Sequence, residues 1–337
     1  MGSVRGWLIV LVCLSVGGVL TVALLGVSDG GGPYGRTAHA TAGPGDFVDI
    51  RDVPPSPDVP PSAGAPLPGS DASTGTVVVD CGRNVEEHYN QDNMVVSPGL
   101  RGGAHHTHAY VGNLSTDARS TDASLAAAST TCRGGDRSTY FWPVLRRTDR
   151  PARYAFEKAA GHGNTGEILR PVEVRLEFAG SPVGEVVAMP RFLRAVTGDA
   201  VALTARSEEN VRARWGCASV PDRLTTRYPR CPAGDRLTRT LTFPSCWNGL
   251  DTAGPERTHL AFRAVNGVCP RDMFAVPELT IRLAYDAPGP DVPIALDSFP
   301  EQRHSPKTDH AMFVNVMTDA RMAALVDCVN EGRRCRL

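Results

Sequence analysis

Apolar and polar positions alternate through much of the chain after residue 76. Val172, Val174, Leu176 and Phe178 alternate with Glu173, Arg175 and Glu177, and Leu279, Ile281, Leu283 and Tyr285 with Thr280, Arg282 and Ala284. A period of two turns every second side chain to one face, so both runs predict strands with one face on a core. Leu237, Leu241 and Phe243 share a face in a Thr-rich run that Arg239 interrupts, and Leu260 and Phe262 share a face further on. Gly and Pro between these runs mark turns. Two helices are predicted. One opens at Thr121-Asp122 and ends near Ser129. The other is capped by Thr318-Asp319, buries Met322, Leu325 and Val326, and runs to Cys328. Many short strands and few short helices predict a mainly β fold, an antiparallel β-sandwich or jelly-roll-like single domain over residues 76–337.

The start of the chain follows a different rule. After Arg5, an apolar run from Trp7 to Val27 contains no charge. Its length suits a membrane span, whereas the small-x-small string Ala38-His39-Ala40 suits signal-peptide cleavage. Residues 1–40 therefore read as a signal peptide or an N-terminal membrane anchor. In either case Arg5 on the inner side sends the remainder outward, to the cell surface or the extracellular space. Residues 41–75 are rich in Pro, Gly and Ser and read as a disordered spacer.

Cysteine usage fits export. Cys13 sits in the apolar run, leaving Cys81, Cys132, Cys217, Cys231, Cys246, Cys269, Cys328 and Cys335 as a set of up to four disulfides. Local spacing makes Cys217–Cys231, Cys246–Cys269 and Cys328–Cys335 plausible pairs, and zinc spacing of the CxxC kind is absent. The 35 basic and 36 acidic residues nearly cancel, which removes the electrostatic case for nucleic acid.

Chemistry concentrates in Ala104-His105-His106-Thr107-His108-Ala109-Tyr110. In an extended segment His106, His108 and Tyr110 share one face, and His105 and Thr107 the other. Two imidazoles at i and i+2 can share a metal or set a general acid beside a general base.

Further strings widen the pattern: Val96-Ser97-Pro98-Gly99, His106-Thr107-His108-Ala109-Tyr110-Val111-Gly112-Asn113, Thr130-Thr131-Cys132 and Tyr140-Phe141-Trp142-Pro143-Val144-Leu145. After them come Phe243-Pro244-Ser245-Cys246-Trp247-Asn248-Gly249, Thr258-His259-Leu260-Ala261-Phe262, Cys269-Pro270 and His310-Ala311-Met312-Phe313. Together they resemble the secreted domain-of-unknown-function family nineteen-ninety-six over roughly residues 85–328. Fungal members of that family often sit beside wall- or glycan-binding modules. The resemblance implies no established reaction, but it marks His106, His108, His259 and His310 as the matching histidines. Met312 stands where the family commonly has an acid.

Two chemistries follow for those histidines. One is binding or cleavage of a glycan or cell-wall polymer in a solvent-accessible His-rich cleft. As an enzyme this would be a hydrolase or lyase, with Asp251 the best carboxylate candidate and Tyr110, Asn113 and Trp142 as ligand-binding residues. The other is a copper or zinc site on His106, His108 and His310, or a purely structural polar cluster, in a non-catalytic envelope protein. The expected state is a monomer with no nucleic-acid partner, touching a membrane only through an uncleaved N-terminal segment. Asn113-Leu114-Ser115 also matches a glycosylation sequon, although turn chemistry after Gly112 explains Asn113 equally well.

Overall fold

Strands carry the architecture, as the alternation requires. The computed structural model describes residues 42–56, 69–153, 162–205, 208–254 and 257–337. The apolar run Trp7–Val27, the Ala38-His39-Ala40 string and residues 57–68 of the expected spacer lie outside the described residues. Among the described residues, no helix is long and apolar enough to cross a membrane.

The strands Glu173–Ala179 and Glu278–Asp286 pair antiparallel, with Leu176 opposite Ile281 and Phe178 opposite Leu279. They stand at the centre of a six-stranded sheet. Its order is Arg214–Cys217, Arg236–Thr242, Glu278–Asp286, Glu173–Ala179, Thr76–Val79 and Arg334–Arg336. All its pairings are antiparallel except the last, where the tail strand runs parallel to Thr76–Val79. A five-stranded antiparallel sheet has the order Tyr89–Asn90, His108–Gly112, Thr139–Pro143, His310–Val314 and Arg194–Gly198. Phe313 of this sheet packs on Phe178 of the larger sheet at 5.9 Å between ring centroids, so the two sheets share a core. The protein is mainly β, with few short helices.

The helices start where their caps predict. Thr121 caps Asp122–Ala127 by accepting from the Ser124 backbone N–H, and Thr318 caps Asp319–Asn330 through Arg321. Met322, Leu325, Cys328 and Val329 form the buried side of the second helix, with Val326 half-buried. Cys328 bonds Cys335, Cys217 bonds Cys231 and Cys246 bonds Cys269, as the spacing suggests. The remaining pair, Cys81–Cys132, joins residues 51 apart in sequence.

The boundary of the domain needs correcting. Residues 42–56 and 69–75 pack on the folded part instead of forming a spacer. Phe47–Asp49 pairs in parallel with Tyr228–Arg230, Ile50 and Val53 are buried, and Ser73 exchanges hydrogen bonds with Ser181. Average composition hid these few apolar side chains, each of which finds a partner surface.

The five-stranded sheet positions the histidines by simple register. Ala109 pairs with Trp142 and Val111 with Tyr140, and both rows face the main core together with Ala311 and Phe313. The alternate rows face the other way. Tyr110 lies opposite Phe141, which lies opposite Met312, and these three form a small apolar layer of their own. One row further along, His108 pairs with Pro143, and the same register carries His310 to the other side of that proline. His108 and His310 thus extend the Tyr110–Phe141–Met312 face by one row.

Candidate functional site

His106, His108 and His310 converge. Nε2 of His106 lies 3.1 Å from Nε2 of His108 and 3.2 Å from Nε2 of His310. The other ring nitrogen of each strand histidine is fixed by backbone: Nδ1 of His108 donates to the Asp92 carbonyl at 3.0 Å, and Nδ1 of His310 to the Thr308 carbonyl at 2.8 Å. A carbonyl can only accept, so both rings carry their proton on Nδ1 and present a lone pair at Nε2. The strand begins only at His108, and His106 reaches the centre from the turn before it, with its own Nδ1 unpartnered.

Each approach to the centre is built. The Asp92 carboxylate accepts from the backbone N–H groups of Gly102 and Ala118, which fixes the loop whose carbonyl holds His108. Thr107, between two of the histidines, donates its N–H to Asp297 at 3.1 Å, and Asp297 is clamped by Arg146 through Nε and Nη2, with both side chains buried. On the far side Gly198, at φ +81°, lies opposite His310. A Cβ there would come within 2.2 Å of the Asp309 carbonyl oxygen, so only glycine lets this strand approach. Rings of Phe299 and Phe141 stand edge-on to His106 and His108, each at 5.3 Å between centroids.

Burial decides the electrostatics. The three histidines are 2%, 0% and 4% exposed. Loss of hydration disfavours the imidazolium, and all three are held below the ordinary histidine value, His108 at about 3. For His106 the neighbouring imidazoles of His108 and His310 add to the burial effect. At neutral pH the centre is three uncharged rings with nitrogen atoms turned inward.

The expectation of four histidines in one open cleft is corrected on two counts. The three that meet are buried, because they continue an apolar sheet face that loops cover. His259 stays apart: its Nε2 binds the Arg194 carbonyl at 2.7 Å, at the opposite end of the strand that carries Gly198 beside His310. Four residues of strand separate those points by about 13 Å. His259, in the turn just before the short strand Leu260–Ala261, is buried while Leu260 and Phe262 are half-buried, the reverse of the expected facing.

The other candidates are also placed away from the centre or inside the protein. Asp251 is exposed on a turn, its carboxylate accepting from Asn248 and its carbonyl from Trp247 Nε1. Trp142 lies in the main core at 1% exposed, with no face for a sugar. Asn113 is fully buried and donates its amide to the Leu125 and Arg137 carbonyls. Tyr110 is buried beside the centre, with its hydroxyl within 2.6 Å of Asn90 Oδ1 and 2.9 Å of the Asp92 carbonyl. Sequence reasoning missed Asp92, Thr308, Asp297 and Phe299, since backbone carbonyls and long-range partners leave no local signal.

No curated protein and no solved structure matches the chain. A family model described as "Domain of unknown function (DUF1996)" matches residues 93–315, a span from the residue after Asp92 to just beyond the His310 strand, and the chain belongs to that family.

Proposed function

We propose that the protein holds a late first-row transition metal, copper or zinc, on His106, His108 and His310, and that this centre is the working site of an exported domain. One observation carries the reading: Nε2 of His106 lies close to Nε2 of both His108 and His310, one ligand nitrogen of each ring lies within 4.8 Å of the others, and backbone carbonyls hold Nδ1 of two of the rings. Nitrogens bound about 2.0–2.1 Å from one tetrahedral ion lie about 3.3 Å apart, close to the 3.1 and 3.2 Å separations here. Histidine ligands of metals usually donate their second nitrogen in this way, which fixes tautomer and ring orientation. Imidazole sets suit zinc and copper, and burial keeps the rings unprotonated, as ligands must be.

Three protein ligands leave a further coordination position, the arrangement of catalytic zinc sites more than of closed structural ones. An acid–base pair working directly on a glycan fits less well, because the same nitrogen of all three rings is turned inward. A glycan-directed reaction would have to run through the metal and the ligand it carries. The four disulfides are consistent with an oxidising, extracellular setting for this chemistry.

Calorimetric titration of Cu2+ and of Zn2+ into chelator-treated, oxidised protein tests the reading. One tightly held equivalent is expected, weakened by at least about 100-fold in His108→Ala and His310→Ala. Wild-type protein that holds neither metal tightly would falsify it.

A further inference from the structure

A buried centre needs a route by which an ion reaches it. Beside the trio stands a second pair of histidines. Nδ1 of His105 lies 3.3 Å from Nε2 of His162, and both side chains are exposed. Both residues adopt left-handed backbone, at φ 56° and 53°, a conformation that costs an L-residue roughly 1 kcal/mol or more.

Three segments are locked together around that pair. Asn164, itself buried, donates its amide to the Ser298 carbonyl at 3.0 Å and to the His105 carbonyl at 3.4 Å. Its Oδ1 accepts from the Ser298 backbone N–H. The next residue, Phe299, places its ring 5.6 Å from His105 and 5.3 Å from His106. One aromatic ring therefore touches an exposed histidine of the outer pair and a buried histidine of the trio.

We propose that His105 and His162 form an outer capture site for the same class of metal ion, from which the ion passes beside Phe299 to His106, His108 and His310. The hand-over rests on the trio being a metal centre; the capture site rests on the pair alone. Two imidazole nitrogens at this spacing can both bind one ion. Two ligands hold it more weakly than three, and solvent completes its coordination. Weak capture at the surface and tight retention inside set the direction of transfer. No bond other than metal–ligand bonds forms or breaks, and the ion keeps its charge throughout.

The test uses the oxidised protein with Cu2+ as probe, read by titration, by paramagnetic resonance of the bound copper and by rapid-mixing uptake. Wild-type protein should bind two equivalents, one tight and one weak. His162→Ala, a change at an exposed position, should lose only the weak equivalent. It should also load the tight site about tenfold more slowly at low metal concentration. His310→Ala should keep the weak equivalent with a two-nitrogen signature. Phe299→Leu should bind both equivalents with an altered loading rate. A His162→Ala protein with unchanged stoichiometry and unchanged loading rate overturns the proposal. Wild-type protein with the weak equivalent alone, lost in His162→Ala, would overturn the trio and the hand-over while upholding the capture site.

Discussion

The guanidinium of Arg239 grips the carboxylate of Asp309 through two hydrogen bonds, Nε to Oδ2 at 2.9 Å and Nη2 to Oδ1 at 2.5 Å, with neither side chain exposed. The same guanidinium donates to the Pro143 carbonyl at 3.1 Å and to the Tyr285 hydroxyl at 2.9 Å. Arg239 is the charge that interrupts an apolar strand face, and Asp309 immediately precedes His310. The pair thereby ties the start of the His310 strand to the proline opposite His108.

Breaking that pair should be costly. Arg239→Met leaves a buried carboxylate without its counter-charge, a change worth about 3–5 kcal/mol. Urea unfolding should show a loss of this size. The double change Arg239→Met with Asp309→Leu should recover much of the stability. A single variant as stable as the parent would show that the pair is not what holds these strands.

Acid should unfold the protein through the trio. Burial holds His106, His108 and His310 below the unfolded histidine value of about 6.5. Between that value and the folded ones, the unfolded chain binds more protons. Stability from this source is therefore complete above about pH 6.5 and falls as the pH drops, by up to about 1.4 kcal/mol per unit for each ring. Urea midpoints at pH 7 and pH 5 measure the slope, and His108→Gln should make it shallower. Equal slopes in parent and variant would contradict the burial argument.

The disulfides should differ in worth. Loop closure in the unfolded chain favours Cys81–Cys132, separated by 51 residues, over Cys328–Cys335, separated by 7. The chain-entropy model gives about 4 kcal/mol for the first and about 2.5 kcal/mol for the second. Paired Cys→Ser variants compared by thermal unfolding check the order. Thiol titration of the denatured, unreduced domain from residue 42 onward should find no free cysteine.

Asn113 should carry no glycan despite its sequon. Its amide is fully buried and joins the Leu125 and Arg137 carbonyls, so an attached sugar would have to displace both. Mass analysis of protein from a glycosylating host should find this asparagine unmodified. Asn113→Ala should cost roughly 2–3 kcal/mol, because it strands buried acceptors.

Local pattern alone determined the elements. Alternation at 172–178 and 279–285, the caps Thr121 and Thr318 and three close cysteine pairs were all legible, because each depends on residues within a few positions of one another. The pairing of His106 with His108 was legible for the same reason, although only His108 lies in the strand. His310 entered through a family pattern, and the same pattern also admitted His259, which the fold keeps elsewhere. Composition alone misjudged residues 42–56, since a handful of apolar side chains suffices once a complementary surface exists. Tertiary structure decided what periodicity cannot carry: that Arg239 meets Asp309, that Asp92 and Thr308 offer the carbonyls that fix two rings, and that the trio is buried. Arg239 and Asp309 stand 70 residues apart and His106 and His310 stand 204 apart, so these meetings depend on strand register, which is set by the whole core and not by any short stretch of sequence.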